Sequence, residues 1–115
     1  MYFGWADPQL NPRQGVEYYD KLTETIGTST GDFARLYMVP GMFHCGGGIG
    51  PNVFDAMTPL INWVESGTAP DQITSSRLVD GKVVRTRPLC PYPQMARYKG
   101  TGSADDEASF ACVRP

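Results

Sequence analysis

The sequence predicts an α/β fold, and three observations carry that expectation. Two short apolar stretches, "MYF" and "ARLYMV", each run into turn-forming residues. A segment with apolar residues at helical spacing separates them. A second such segment follows a glycine loop after "ARLYMV". Strand–loop–helix units in this order place their strands in parallel, with ligands bound beyond the strands' carboxyl ends.

Each element has a local reason. "MYF" is brief and closed by Gly4, so it reads as a buried strand end entering a loop. "NPRQGVEYYDKLTETIG", residues 11–27, reads as a helix: Asn11 suits the N-cap, Pro12 the first helical position and Gly27 the stop. Val16, Tyr19, Leu22 and Ile26 form its apolar face. "ARLYMV" ends at Pro40-Gly41. "VFDAMTPLINWVESG", residues 53–67, reads as the second helix, with Phe54, Met57, Leu60, Ile61 and Val64 expected inward. Pro59 either opens its regular part behind Thr58 or kinks it. "ITSSRLVDGKVVRTRPL" reads as a hairpin turning on Asp80-Gly81. The last segment, from Cys90 onward, looks irregular and in need of a staple.

Composition narrows the function. At 115 residues the chain is one domain or a piece of one, and 41% hydrophobic content suits a globular protein. A net charge of -2 without basic clusters argues against nucleic acid and anionic membranes as partners. No apolar run approaches the roughly 20 residues that span a bilayer. "MYFGWADP" has none of the parts of a signal peptide.

Three cysteines leave one over. Cys90 and Cys112 flank a Pro/Gly-rich tail and could close a loop worth about 3 kcal/mol on the chain-entropy account. Cys45 would then be a free thiol, or would have a partner in a segment not present. Structural zinc is disfavoured, because one histidine and three scattered cysteines supply no CxxC pair.

The chemistry gathers at the ends of the two strands. Asp7 follows the first, and His44, the only histidine, follows the second. Asp then His is the closing order of an α/β-hydrolase triad, in which Ser comes first. "GTSTG", residues 27–31, fits the G-x-S-x-G pattern, but it runs from a helix into a strand. Ser29 should therefore lie on the edge opposite His44, as a polar loop residue. No other serine follows a strand and opens a helix, so the nucleophile is expected to be missing.

Several other features carry less. Trp5, Trp63 and the Tyr18-Tyr19 pair read as packing, Arg85 and Arg87 as solvated charges. "GGGIG" lacks the Lys-Ser/Thr of a P-loop.

"GWADPQLNPRQGVEYYDKL", "YMVPGMFHCGGGIGPNVFDAMTPLINWVESGTAPDQI" and "RTRPLCPYPQMARYKGTGS" with "FACV" together resemble the carboxyl-terminal part of the tannase/feruloyl esterase family, over nearly the whole chain. The resemblance implies the C-terminal part of an α/β-hydrolase sheet with flanking helices, a hairpin and a disulfide-stapled tail. It also implies a serine esterase acting on esters of aromatic acids, secreted or periplasmic, without a cofactor or a metal in this part. The family's aspartate after its "hGwaD" strand matches Asp7, and the histidine of its "PGM.HC" segment matches His44. Its tail disulfide matches Cys90 and Cys112, and its cysteine beside the histidine, bonded to one just before the serine, matches Cys45. Leu10 matches a position near the acyl pocket.

The serine, the oxyanion-hole amides and the lid with its calcium site have no counterpart in these 115 residues. Residues 1–115 are thus expected to be the C-terminal portion of one catalytic domain. Alone they should be inactive and prone to self-association. The alternative is a non-catalytic remnant or binding module that keeps the fold.

Overall fold

The computed structural model describes residues 1–115. It is a mixed α/β chain with three two-stranded sheets. Strand β1 (Tyr2–Gly4) leads to helix α1 (Arg13–Ile26), strand β2 (Tyr37–Val39) and helix α2 (Met57–Ser66). Strands β3 (Ile73–Val79), β4 (Lys82–Leu89), β5 (Met95–Tyr98) and β6 (Phe110–Val113) follow.

β1 and β2 pair in parallel, with Tyr2 beside Tyr37 and Gly4 beside Val39. The α1 crossover makes this possible, since a tight turn can join only antiparallel strands. The N-cap position of α1 is Pro12, one residue later than expected, and Asn11 just before it accepts the Arg13 amide on its Oδ1 at 3.1 Å. Gly27, at φ 84°, ends the helix with its amide on the Thr23 carbonyl. On the inner face Tyr19 is buried and its hydroxyl donates to the Ala34 carbonyl. Gly15 lies against the Phe3 ring so closely that a Cβ would overlap it. Ile26, expected inward, is exposed, as is Tyr18.

Val39 and Met42 are fully buried, and with Tyr37, Ile73 and Leu89 they form the core, Phe54 packing against it. Leu36 is also sealed from solvent. The core therefore joins β2 and its exit loop to the base of the β3–β4 hairpin.

The second helix departs from the expected picture twice. Its regular part begins at Met57, not Val53, because Asp55 accepts the amides of Met57 and Thr58 at 2.9 and 3.0 Å. Pro59 then falls in the first turn, where the missing N–H has no intrahelical partner to lose. Second, its apolar face points outward: no residue of α2 is buried, Met57 is 62% exposed and Val64 78%. The helix leans on the body through half-buried Trp63, over whose ring the Arg35 guanidinium sits at 5.6 Å. Helical spacing defines a face but says nothing about what covers it.

Residues 73–113 are antiparallel. Asp80 (φ 50°) and Gly81 (φ 74°) make the two-residue turn between β3 and β4, the paired left-handed geometry such hairpins need. The tail after Cys90 is more regular than expected. β5 and β6 pair from Met95–Val113 to Tyr98–Phe110, and Cys90 is disulfide-bonded to Cys112 with Cα atoms 5.5 Å apart. Gly and Pro punctuation hid these strands, since it breaks the alternation that marks longer ones. Arg85 and Arg87 are not simply solvated: Arg85 bonds Asp105 at 2.6 Å, and Arg87 lies 4.1 Å over the Phe110 ring.

Candidate active site

Asp7 and His44 come together because the loops leaving β1 and β2 run side by side. The ladder continues past the strands, with the Trp5 amide on the Val39 carbonyl at 2.9 Å and the Ala6 amide on the Met42 carbonyl at 3.1 Å. Asp7 then turns back, its amide reaching the Gly4 carbonyl at 3.3 Å. After Met42 the second chain folds on itself: the Phe43 amide bonds the Gly47 carbonyl and the Gly50 amide the Gly41 carbonyl. Cys45, at φ 40°, takes the left-handed conformation that a side chain rarely adopts. The glycine loop thus projects His44 toward the first loop.

His44 Nδ1 and Asp7 Oδ2 are 2.6 Å apart. The other carboxylate oxygen, Oδ1, accepts the amides of Gln9 and Leu10 at 2.8 and 3.0 Å. The aspartate is therefore held by three donors. Its side chain is 4% exposed, whereas the imidazole is 38% exposed. Burial pushes the Asp7 carboxyl up, but the amides of Leu10 and Gln9 and the His44 ring outweigh it, and the carboxyl is held below its ordinary value. An ionised carboxylate only accepts hydrogen bonds, so Nδ1 is the donor in this contact.

The other candidates fall as follows. Leu10 adjoins the pair through its backbone, and the residue is 49% exposed. Cys45, next to His44, is exposed and makes no disulfide within these 115 residues. Ser29 is in a 3-10 turn (Thr28–Asp32) that joins the end of α1 to the start of β2, so it sits on the opposite edge from His44. No group of three or more His, Cys, Asp or Glu side chains is placed to hold a metal ion. No helix is long and apolar enough to cross a membrane. The part of the site not anticipated is the backbone clamp on Asp7 from Gln9 and Leu10. Asp followed by Pro8 and two further residues is a turn signal that could have indicated it.

A family profile described as tannase and feruloyl esterase matches residues 1–113. The chain belongs to that family. Among curated relatives of this tannase/feruloyl esterase chain is the mono(2-hydroxyethyl) terephthalate hydrolase of Piscinibacter sakaiensis, 48% identical over all of this chain and 19% of the relative. Feruloyl esterase C of Talaromyces stipitatus is 33% identical over 97% of this chain and 25% of its own length. In structure, an esterase from Aspergillus oryzae superposes with a TM-score of 0.88 at 30% identity, over 97% of this chain and 26% of that one. The tannase/feruloyl esterase chain described here thus spans a quarter or less of the curated relatives named above.

Proposed function

We propose that this chain is the Asp- and His-bearing C-terminal portion of an α/β-hydrolase domain that cleaves carboxylic esters of aromatic acids through an acyl-enzyme. The observation that carries the reading is the 2.6 Å contact of a clamped, ionised Asp7 with a partly exposed imidazole. Family membership supports ester hydrolysis, and relatives named feruloyl esterase and mono(2-hydroxyethyl) terephthalate hydrolase support an aromatic acid portion.

In this mechanism Asp7 holds His44 in the tautomer with the proton on Nδ1 and steadies the imidazolium. Nε2 takes the proton of a serine hydroxyl as that oxygen attacks the ester carbonyl. It then returns the proton to the leaving alcohol, and repeats the cycle with water to release the acid. The serine comes from a segment outside these 115 residues, as do the oxyanion-stabilising amides. Cys45 is the anchor of the histidine loop, bonded to a cysteine in that segment beside the serine. Such a cross-link holds two reacting groups from distant parts of a chain in register.

The outward apolar face of α2 is covered by the same protein's remaining segments. We place the protein in an extracytoplasmic, oxidising compartment, where a disulfide such as Cys90–Cys112 persists. Leu10, beside the aspartate, borders the pocket for the acid.

The test is hydrolysis of a chromogenic aromatic ester by the intact natural protein. The expected outcome is turnover that His44→Ala lowers by about six orders of magnitude. Turnover equal in the variant and its parent would end the reading.

A further inference from the structure

Asp7 and His44 are carried on two chain segments, so something must set the distance between them. We propose that the close backbone contact of Gly4 with Met42 and Phe43 is that device, which makes Gly4 a positioning residue for the histidine. This rests on the catalytic reading above.

Gly4 is buried, and a Cβ built on it would overlap the carbonyl oxygens of both Met42 and Phe43. Those obstacles are backbone atoms, which cannot swing away as a flexible side chain would. Nor is the glycine there for its conformation, since its φ is not among the positive values of the chain. The missing atom is what matters: space, not flexibility, selects glycine at this position.

The consequence follows from the covalent spacing. Asp7 lies three residues beyond Gly4 along one segment, and His44 one residue beyond Phe43 along the other. Between them the Ala6 amide bonds the Met42 carbonyl at 3.1 Å, and Met42 itself is fully buried. The histidine segment is therefore pinned from below by the core and from the side by β1. A methyl group at position 4 has to push the 42–43 backbone outward, and His44 moves with it, away from a carboxylate whose other oxygen is tied down by Gln9 and Leu10.

Gly15→Ala supplies the matched comparison. Its Cβ also crowds β1, but against the Phe3 ring instead of the 42–43 carbonyls. It strains the same strand without touching the histidine segment.

The experiment uses the intact natural protein and two readouts. One is the downfield Nδ1–H proton resonance of His44 in an NMR spectrum, identified by its loss in His44→Gln. The other is steady-state hydrolysis of an aromatic ester. Gly4→Ala is expected to remove or broaden that resonance and to lower kcat by about 100-fold with KM little changed, the scale on which a misplacement near 1 Å acts. Gly15→Ala is expected to keep the resonance and kcat while losing a similar amount of thermal stability. A folded Gly4→Ala protein with the His44 resonance and kcat of its parent overturns the inference.

If Gly4→Ala does not fold, replacing the Ala6 amide by an ester linkage deletes the bond to the Met42 carbonyl and adds no atom beside it. A weakened His44 resonance then supports the positioning contact, and an unchanged one overturns it. The two claims separate cleanly. If the parent protein hydrolyses no ester, the functional reading fails, while the NMR comparison still decides whether Gly4 sets the Asp7–His44 contact.

Discussion

The parallel β1–β2 pair and the antiparallel segment from β3 to β6 are built on opposite principles. β1 meets β2 across a crossover, so Tyr2 lies beside Tyr37, and nothing local requires their pairing. β3 meets β4 across a two-residue turn, and a disulfide with a sequence separation of 22 ties the β6 strand back to the end of β4. The first region carries the candidate chemistry, and it is held by close backbone approach and a small buried core. The second carries none of it, and it is held by turn geometry and covalent closure. The precision needed for a proton transfer comes from packing, whereas a scaffold can be made from local rules.

The sharpest way to break that contrast is to disturb the two regions separately. Asp7→Asn should leave the fold of the intact protein in place and lower kcat by roughly 10⁴-fold, since the amide would favour the wrong imidazole tautomer. The same variant gives a pH test. Asp7 is held below its ordinary value, so its contribution to stability is complete above the ordinary carboxylate range. It is lost as pH falls through the depressed folded-state value. The gap in Tm between parent and Asp7→Asn should therefore close on acidification. A gap that widens as pH falls would contradict the clamp.

In the stapled region the effect should appear in stability and spare the chemistry. Cys90→Ser together with Cys112→Ser should cost about 3 kcal/mol in urea unfolding, as expected for a closed loop of this order. Turnover per folded molecule should stay the same. A loss of kcat equal to that of Asp7→Asn would show that the two regions are not independent.

Smallest is the hairpin turn. Gly81 has a φ of 74° and open space around it, so Gly81→Ala meets only conformational strain. A loss of about 1 kcal/mol is expected, with no change in hydrolysis.

How far the sequence could be read follows the same division. The Asp80-Gly81 turn, the helical spacing of 11–27 and the stop signal Gly27 describe interactions within a few residues, and the hairpin and α1 stand close to where those signals put them. The assignment of Asp7 and His44 to one edge came from strand order alone. α2 shows the limit: its apolar spacing is real, yet Met57 and Val64 face outward, because periodicity cannot say which neighbour covers a face. β5 and β6 carry no clear local signal for a related reason, since strands of four residues between glycines and prolines present too few alternations to mark a strand.

What the amino-acid order determined by itself was the set of local elements, the parallel sense of the strand–helix–strand unit, and the placing of Asp7 and His44 beyond the ends of its two strands. Only the tertiary structure decided that those residues touch at 2.6 Å. That distance depends on a glycine leaving room for a carbonyl 38 residues further on, on two amides fixing one carboxylate oxygen, and on Met42 filling the core beneath. Such contacts join positions far apart in the chain, and short-range patterns carry no information about them.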